Sequence, residues 1–291
     1  MNYAAPTSVQ EAVALLAGAA GLAKPMAGGT DLLVQLRSGR LKPELIVDTK
    51  QIPGMIGIRE EAGGFVIGGA TSGAMLEAHA ALKAAWPGVV EAMDLIGSEQ
   101  IQGRASLAGN LCNASPAADS VPAMIAAAAV AVIVGPKGER TVPVESIVVS
   151  PGRTSLARDE FILAIRLPPR PAHSGDAYLR FIPRTEMDIA VVGCGVNVTL
   201  DAAGVCTAAR VSVGAVAPTP LLVAEAGAAL VGHTLDEATL AKLDAAARAA
   251  CKPISDKRGT IEYRIKVAGV LARRAAAIAF ERAAGRVAKG H

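Results

Sequence analysis

Ala27-Gly28-Gly29-Thr30-Asp31-Leu32 and a later counterpart, Ser106-Leu107-Ala108-Gly109-Asn110-Leu111, decide how this chain is read. The second stretch runs on through Asn113-Ala114-Ser115-Pro116 to Asp119. Glycine lacks a Cβ and lets backbone N–H groups approach a ligand, and nearby hydroxyl and amide side chains add donors suited to phosphate oxygens. Taken alone, the first stretch is equally a turn that needs positive φ. A second anion-type loop in the same domain shifts the reading to a pyrophosphate gripped from both sides, hence a dinucleotide. The first stretch is not the GxGxxG of a Rossmann unit, and no Gly-Lys-Ser/Thr is present for a P-loop.

Working outward, Ser8 and Glu11 read as a capping box opening a helix whose Val9, Val13 and Leu16 share a face. Lys24 to Ala27 reads as a short strand, Asp31 to Leu36 as a helix start, and Leu45 to Asp48 as a second strand. Strand, glycine loop and helix start together present N–H groups to an anion. Met55–Ile58 and Phe65–Gly68 are expected to form a hairpin around Ala62-Gly63-Gly64. Helices are expected over Met75–Leu82 and Val89–Ile96, with Pro122 in the first turn of another. Val130–Val134 and Arg140–Val144 flank a hairpin turn, and Phe161–Leu167 alternates as a strand. Pro168 to Gly175 is the linker candidate. Beyond it come strands Tyr178–Ile182, Ala190–Leu200 and Val205–Val213, a helix capped at Thr234 with Glu237, and a long helix from Thr260 to Ala284.

The 291 residues, 52% hydrophobic and 19% charged, suffice for a substantial core and two domains. A net charge of +3 without a basic block, and only 3% aromatics, argue against nucleic acid as a partner. The longest apolar run, Ala123 to Val134, falls short of the roughly 18 residues of a membrane span. The first residues lack the basic and apolar regions of a secretory signal, so the expectation is a cytoplasmic protein. Cys112, Cys194, Cys206 and Cys251 are scattered, which argues against zinc and iron–sulfur sites built by this chain alone and favours buried or half-buried thiols. His79, His173, His233 and His291 sit in unrelated contexts. With no nucleophile–base set and no paired carboxylates in a motif, the chemistry must belong to a cofactor.

The ordered blocks AGGTDLL, GGATS, IGSEQIQGRASLAGNLCNASPAADSVPAM, RTEMDIAVVG, GAVAPTP and SDKRGTIEYRIKVAGVL resemble the medium, FAD-binding subunit of the molybdenum hydroxylases, the family of aerobic carbon monoxide dehydrogenase and xanthine dehydrogenase. The resemblance spans about Tyr3 to Ala284. It implies an α+β fold: a vanillyl-alcohol-oxidase (PCMH)-type FAD-binding domain of two α/β subdomains over 1–171, then a smaller α+β domain over 176–285 with a three-stranded antiparallel sheet and helices. By position it implies a cofactor site of Ala27, Gly28, Gly29, Thr30, Asp31 and Leu32; Ala70 and Thr71; Ser106, Gly109 and Asn110. Ser115 and Asp119 are implied at the ADP half, with Ile162 and Arg180 near the flavin or nucleotide.

The resemblance further implies non-covalent FAD here, a molybdenum cofactor on a large partner, two [2Fe–2S] clusters on a small one, and a dimer of heterotrimers. Electrons would pass from the clusters through FAD to NAD, a quinone, a cytochrome or oxygen. Ala108 stands where the family usually has a second glycine; it would strain the loop if positive φ were needed, but alanine is small enough that its accommodation is expected. No cysteine-bearing insertion is present, which disfavours the thioester-reducing branch. A stand-alone flavoprotein oxidase of the same fold, or a scaffold subunit with a vestigial flavin site, are the rival readings.

Overall fold

A computed structural model describes residues 1–286. The chain begins with a small parallel sheet: β1 (Asn2–Ala4), α1 (Val9–Gly18), β2 (Ala23–Met26), α2 (Leu32–Arg37) and β3 (Leu45–Asp48), in strand order β1-β3-β2. Ser8 Oγ accepts from Glu11 N at 3.2 Å, and the Glu11 carboxylate accepts from Thr7 N at 2.9 Å, closing the box one residue earlier than expected. α1 buries Ala12 and Leu16 against the sheet.

A larger antiparallel sheet follows, built from β4 (Ile58–Glu61), β5 (Gly64–Gly68), β6 (Val130–Gly135), β7 (Gly138–Pro143) and β10 (Phe161–Leu167) in order β4-β5-β10-β6-β7. A small hairpin, β8 (Val148–Ser150) and β9 (Arg153–Thr154), lies between β7 and β10 in the chain. The helices α3 (Gly73–Ala78), α4 (Ala80–Ala85), α5 (Pro87–Asp94), α6 (Glu99–Gln102), α7 (Leu107–Asn113) and α8 (Ser120–Ala126) come between β5 and β6 in the chain. Their apolar faces and the sheet share one core containing Trp86, Met93, Leu111, Met124, Ile133 and Ile165.

Two expectations are corrected here. The first strand of the β4–β5 hairpin begins at Ile58, not Met55, because a two-residue turn at Ala62 (φ 51°) and Gly63 (φ 79°) sets the register Glu61↔Gly64. The helix expected over Met75–Leu82 breaks at His79, whose Nδ1 accepts from Leu82 N at 3.1 Å and caps α4.

The C-terminal unit carries β11 (Ser174–Phe181), β12 (Val192–Leu200), β13 (Cys206–Gly214) and a two-residue edge strand β14 (Leu221–Leu222), all antiparallel. The short edge strand adds to the three expected. Ser174 and Gly175 already pair with Thr199 and Val198, so the linker is shorter than the Pro/Gly pattern implied. The helices α9 (Ala224–Leu230), α10 (Glu237–Ala250) and α11 (Ile261–Ala283) cover one face. The N-cap of α10 is Asp236, which accepts from Thr239 N at 2.8 Å, rather than Thr234. The long helix expected from Thr260 forms as α11, with Thr260 Oγ1 accepting from Tyr263 N at 3.2 Å as its cap. Ala268, Ala272, Ala275, Ala276 and Ala279 bring α11 down onto the sheet, which explains much of the alanine. The closeness is such that a Cβ on Gly175 would sit 2.0 Å from Ala279 O.

The other face of this sheet receives α8 of the first unit. A Cβ on Gly195 would lie 2.7 Å from Pro122 O, and one on Gly214 would lie 2.7 Å from Pro122 Cγ. Buried polar groups stitch the junction. Asp176 accepts from Gly88 N at 2.9 Å and Arg170 Nη1 at 2.8 Å, and the Arg170 guanidinium lies 4.4 Å from the centre of the Trp86 ring. Arg210 donates to Ile125 O at 3.0 Å and Glu145 Oε1 at 2.9 Å. Among the described residues no helix is long and apolar enough to cross a membrane. Cys194, Cys206 and Cys251 are buried, whereas Cys112 is exposed. His291 lies outside the described residues.

Candidate cofactor site

The first glycine loop joins β2 to α2, with Gly29 at φ +78°. Its carbonyls are held: Lys50 Nζ donates to Ala27 O at 3.0 Å, and Arg104 Nε to Gly28 O at 3.4 Å. Its amides are not. The N–H groups of Gly28, Gly29, Thr30 and Asp31 donate to no main-chain acceptor among the described residues. Such a row of unpaired donors is what a polyanion completes. Leu32 opens α2, and Leu33 N returns to Gly29 O at 2.9 Å.

The two loops touch, as the sequence reading required. A Cβ on Gly28 would lie 1.8 Å from Arg104 O, so only glycine fits there. Asn113 Nδ2 donates to Asp31 Oδ1 at 3.2 Å and Gln35 Nε2 to Asn113 Oδ1 at 3.1 Å, tying α2 to α7. A cleft of about 200 Å³ opens between the loops, lined by Gly28, Lys50, Ile56, Ala70, Met75 and Arg104 among others. Whole-ligand pockets run to roughly 300–1,000 Å³, so this cleft suits one part of an extended ligand.

The second loop is the start of α7. Ser106 Oγ accepts from Gly109 N at 3.1 Å and donates its proton to Gly69 O at 2.9 Å. That proton is therefore committed inside the protein, and Ser106 shapes the loop instead of donating to phosphate as expected. Asn110 keeps its donor: Ser120 N (3.3 Å) and Ser120 Oγ (2.7 Å) both bind its Oδ1, which fixes the carboxamide and leaves its NH₂ on the opposite side. Gly109 and Ala108 are helical and neither has positive φ, so Ala108 is accommodated without strain, as expected. A Cβ on Gly109 would meet only Ser106 Oγ, at 3.1 Å. The left-handed residue is Ala114, at the helix end, with φ 51°. Ser115 Oγ accepts from Ala117 N at 3.2 Å in the following turn.

Ala70 lines the cleft, and its N–H donates to Met55 O at 2.8 Å. Thr71 Oγ1 donates to Gly57 O and accepts from Gly57 N, both at 3.0 Å, so this hydroxyl braces the neighbouring loop. Ile162 sends its side chain into the core, while its carbonyl would lie 2.4 Å from a Cβ on Gly69.

Asp119 and Arg180 are brought together across the domain junction. Arg180 Nη1 donates to Asp119 Oδ2 at 3.0 Å and to Leu95 O at 2.7 Å, and Tyr178 OH donates to Asp119 Oδ1 at 2.9 Å. The two charged side chains are 9% and 4% exposed. Burial pushes the Asp119 carboxyl up, against the pull of Arg180 and the Tyr178 hydroxyl. Burial and the facing carboxylate push the Tyr178 phenol well up. The negative charge that the sequence reading sought for Arg180 is Asp119 itself. Ser120, next to Asp119, links this pair to Asn110. Lys50, Arg104 and Ser120 were not singled out in the sequence. Lysine, arginine and serine in such contexts are ordinary surface residues until the fold places them.

A family model for the FAD binding domain in molybdopterin dehydrogenase matches residues 1–170, more than half of the chain, and one for the CO dehydrogenase flavoprotein C-terminal domain matches residues 177–279. This chain belongs to the FAD-binding medium subunits of the molybdenum hydroxylases. It is similar to the carbon monoxide dehydrogenase medium chain of Afipia carboxidovorans, with 36% identity over 94% of each chain. It is also similar to a putative xanthine dehydrogenase FAD-binding subunit of Escherichia coli K12, with 30% identity over 98% of each. Among solved structures, a carbon monoxide dehydrogenase from Hydrogenophaga pseudoflava that lacks the Mo-pyranopterin moiety superposes with a TM-score of 0.93 at 35% identity, covering 97% of this chain and 98% of that one. The resemblance drawn from the sequence blocks and the fold it implied are both borne out, and the medium subunit is part of an oxidoreductase. The donor set fits the family's cofactor: unpaired amides beside the exposed Arg104 guanidinium match a pyrophosphate, and the missing Cβ of Gly28 lets the loop lie against Arg104 O.

Proposed function

We propose that this medium subunit holds FAD non-covalently along its two glycine loops and passes electrons from the [2Fe–2S] clusters of a small partner to an external acceptor, NAD, a quinone, a cytochrome or oxygen. The observation that carries the reading is the run of four unpaired N–H groups, Gly28 to Asp31, set against the second loop. Bound FAD supplies chemistry in one- and two-electron steps, which suits a relay between single-electron clusters and varied acceptors.

The chain's own residues bind and orient. The amides of Gly28, Gly29, Thr30 and Asp31, with the Asn110 NH₂, face the phosphates. Ala27, Leu32, Ala70, Thr71, Ser106, Gly109, Ser115 and Ile162 shape the walls, and Asp119 with Arg180 closes the ADP side against the second domain. The domain division is placed at 1–171 and 176–285. A large molybdenum-cofactor subunit completes the heterotrimer, two of which pair, in the cytoplasm. The organic substrate is chosen by that large partner, so it is not read from this chain.

Acid release and chromatography of the bound flavin test the cofactor, with FAD expected and FMN alone overturning the reading. The isolated FAD-loaded chain is expected to pass electrons to dyes but to hydroxylate nothing, because its described residues hold no cluster of metal-binding side chains. Rapid mixing of the assembled complex with organic substrate then reports flavin reduction. Normal electron delivery by a flavin-free complex would make the chain a scaffold.

A further inference from the structure

Lys50 and Arg104 touch the first glycine loop from outside it, and both bind carbonyl oxygens. A trans peptide is planar, with C=O and N–H pointing in opposite directions. Ala27 O and Gly28 N share one peptide unit, and Gly28 O and Gly29 N share the next. Pulling the two carbonyls toward Lys50 and Arg104 therefore turns the Gly28 and Gly29 N–H groups the other way. These are two of the four amides without a protein acceptor.

Lys50 is itself fixed. Its ammonium donates to Asp48 Oδ1 at 2.6 Å, Asp48 Oδ2 at 2.7 Å and Ala27 O at 3.0 Å, which uses all three protons. Tyr3 OH donates to Asp48 Oδ2 at 2.7 Å, so β1 braces the far end of the relay. Burial pushes the Asp48 carboxyl up, but the bonds from Lys50 and Tyr3 outweigh it and hold the group below the usual carboxylate range. Lys50 thus has no proton left for a ligand and works through the loop. Arg104 is exposed and bound to the loop by one nitrogen, at the longer distance.

We propose that Lys50, anchored by Asp48 and Tyr3 and seconded by Arg104, is the positioning residue that aims the first glycine loop's amides at the pyrophosphate of FAD. The inference rests on the FAD-binding role argued above. It assigns the loop's orientation to a side chain whose effect is felt by the phosphates and not by the flavin ring.

The full-length chain, stripped of flavin, is titrated with FAD and with riboflavin, which has the ring but no phosphate. Lys50→Met is expected to weaken FAD by about tenfold or more while riboflavin binding stays within about twofold. Lys50→Arg, which keeps a charged donor, is expected to recover most of the loss. Arg104→Gln, at an exposed position where folding is not at stake, is expected to weaken FAD by roughly threefold. The ³¹P resonances of bound FAD should shift in Lys50→Met and return in Lys50→Arg. If Lys50→Met strands Asp48 and fails to fold, the double variant Asp48→Asn with Lys50→Met removes both charges and is read the same way. Equal weakening of FAD and riboflavin, or unchanged FAD binding, would overturn the proposal. A wild-type chain that binds neither flavin would instead overturn the FAD-binding role itself.

Discussion

The cofactor-side glycines and the glycines of the C-terminal sheet solve different problems with the same residue. At the first loop, Gly28 lets one loop lie against another and leaves a row of amides unpaired. On the sheet, Gly193, Gly195 and Gly214 sit in paired strands with their amides in the ladder, and their missing side chains make room for Tyr178 and α8. In the first region glycine leaves backbone donors unpaired and open to the ligand proposed there. In the second it brings two domains close. An unpaired donor row, not glycine content, separates a site from a packing surface.

That contrast can be broken most severely at Gly28. Gly28→Val places a branched side chain where even a Cβ would lie 1.8 Å from Arg104 O, and flavin content after purification is expected to fall to nothing while the C-terminal domain keeps its circular dichroism. A stably flavinated variant would show that the loops do not grip the cofactor. Asp119→Ala should come next, through stability: it leaves the Arg180 guanidinium buried without its carboxylate, a loss of about 3–5 kcal/mol read by denaturant unfolding. A drop in FAD affinity without a drop in stability would move Asp119 from the junction to the cofactor.

Gly195→Ala should cost about 1–3 kcal/mol by overpacking against Pro122, with FAD binding retained in the folded fraction. Loss of flavin at unchanged stability would erase the distinction between the two regions. The junction also carries a pH signature. Burial, against the pull of Arg170 and Arg282, pushes the Asp176 carboxyl up to about 6. The folded state then holds this proton more tightly than an unfolded chain with a pKa of about 3.9, so stability from this group is greatest in acid and declines as pH rises from about 4 to 6. Asp176→Asn should flatten that decline in thermal melts, and an unchanged profile would dismiss the group as its source.

The smallest effect on the protein is expected at Gly109. Its backbone is helical, which favours alanine, but a Cβ there would lie 3.1 Å from Ser106 Oγ, which is held by Gly69 O, so Gly109→Ala should change stability by no more than about 0.5–1 kcal/mol in a thermal melt. A fall in FAD affinity at nearly unchanged stability would mean the glycine is kept for the cofactor's approach. No fall would leave Asn110, held by Ser120, as the second loop's contribution.

Much of the frame of the proposed site was legible because its signals are local. Two glycine stretches and a strand before the first follow from residues adjacent in the chain, whereas the cap that Ser106 gives α7 came only with the fold. The signals that failed were also local. Ser106 has the right hydroxyl, but Gly69 O, reached only in the fold, takes its proton. Arg180 has the right charge, but Asp119 meets it first. The hairpin began at Ile58 because turn geometry at Ala62 and Gly63 outranked the apolar run around Met55.

The sequence alone determined the family, the two glycine stretches and the Ser8 cap of α1, since each is written in residue type and short-range order. Tertiary structure decided which donors are free. Lys50, Arg104 and Ser120 gain their parts only when the turn after β3, the turn before α7, and α8 are folded against the loops. The reason is physical: a backbone amide is available to a ligand only if no neighbour satisfies it, and which neighbours do so is set by contacts between segments far apart in the chain.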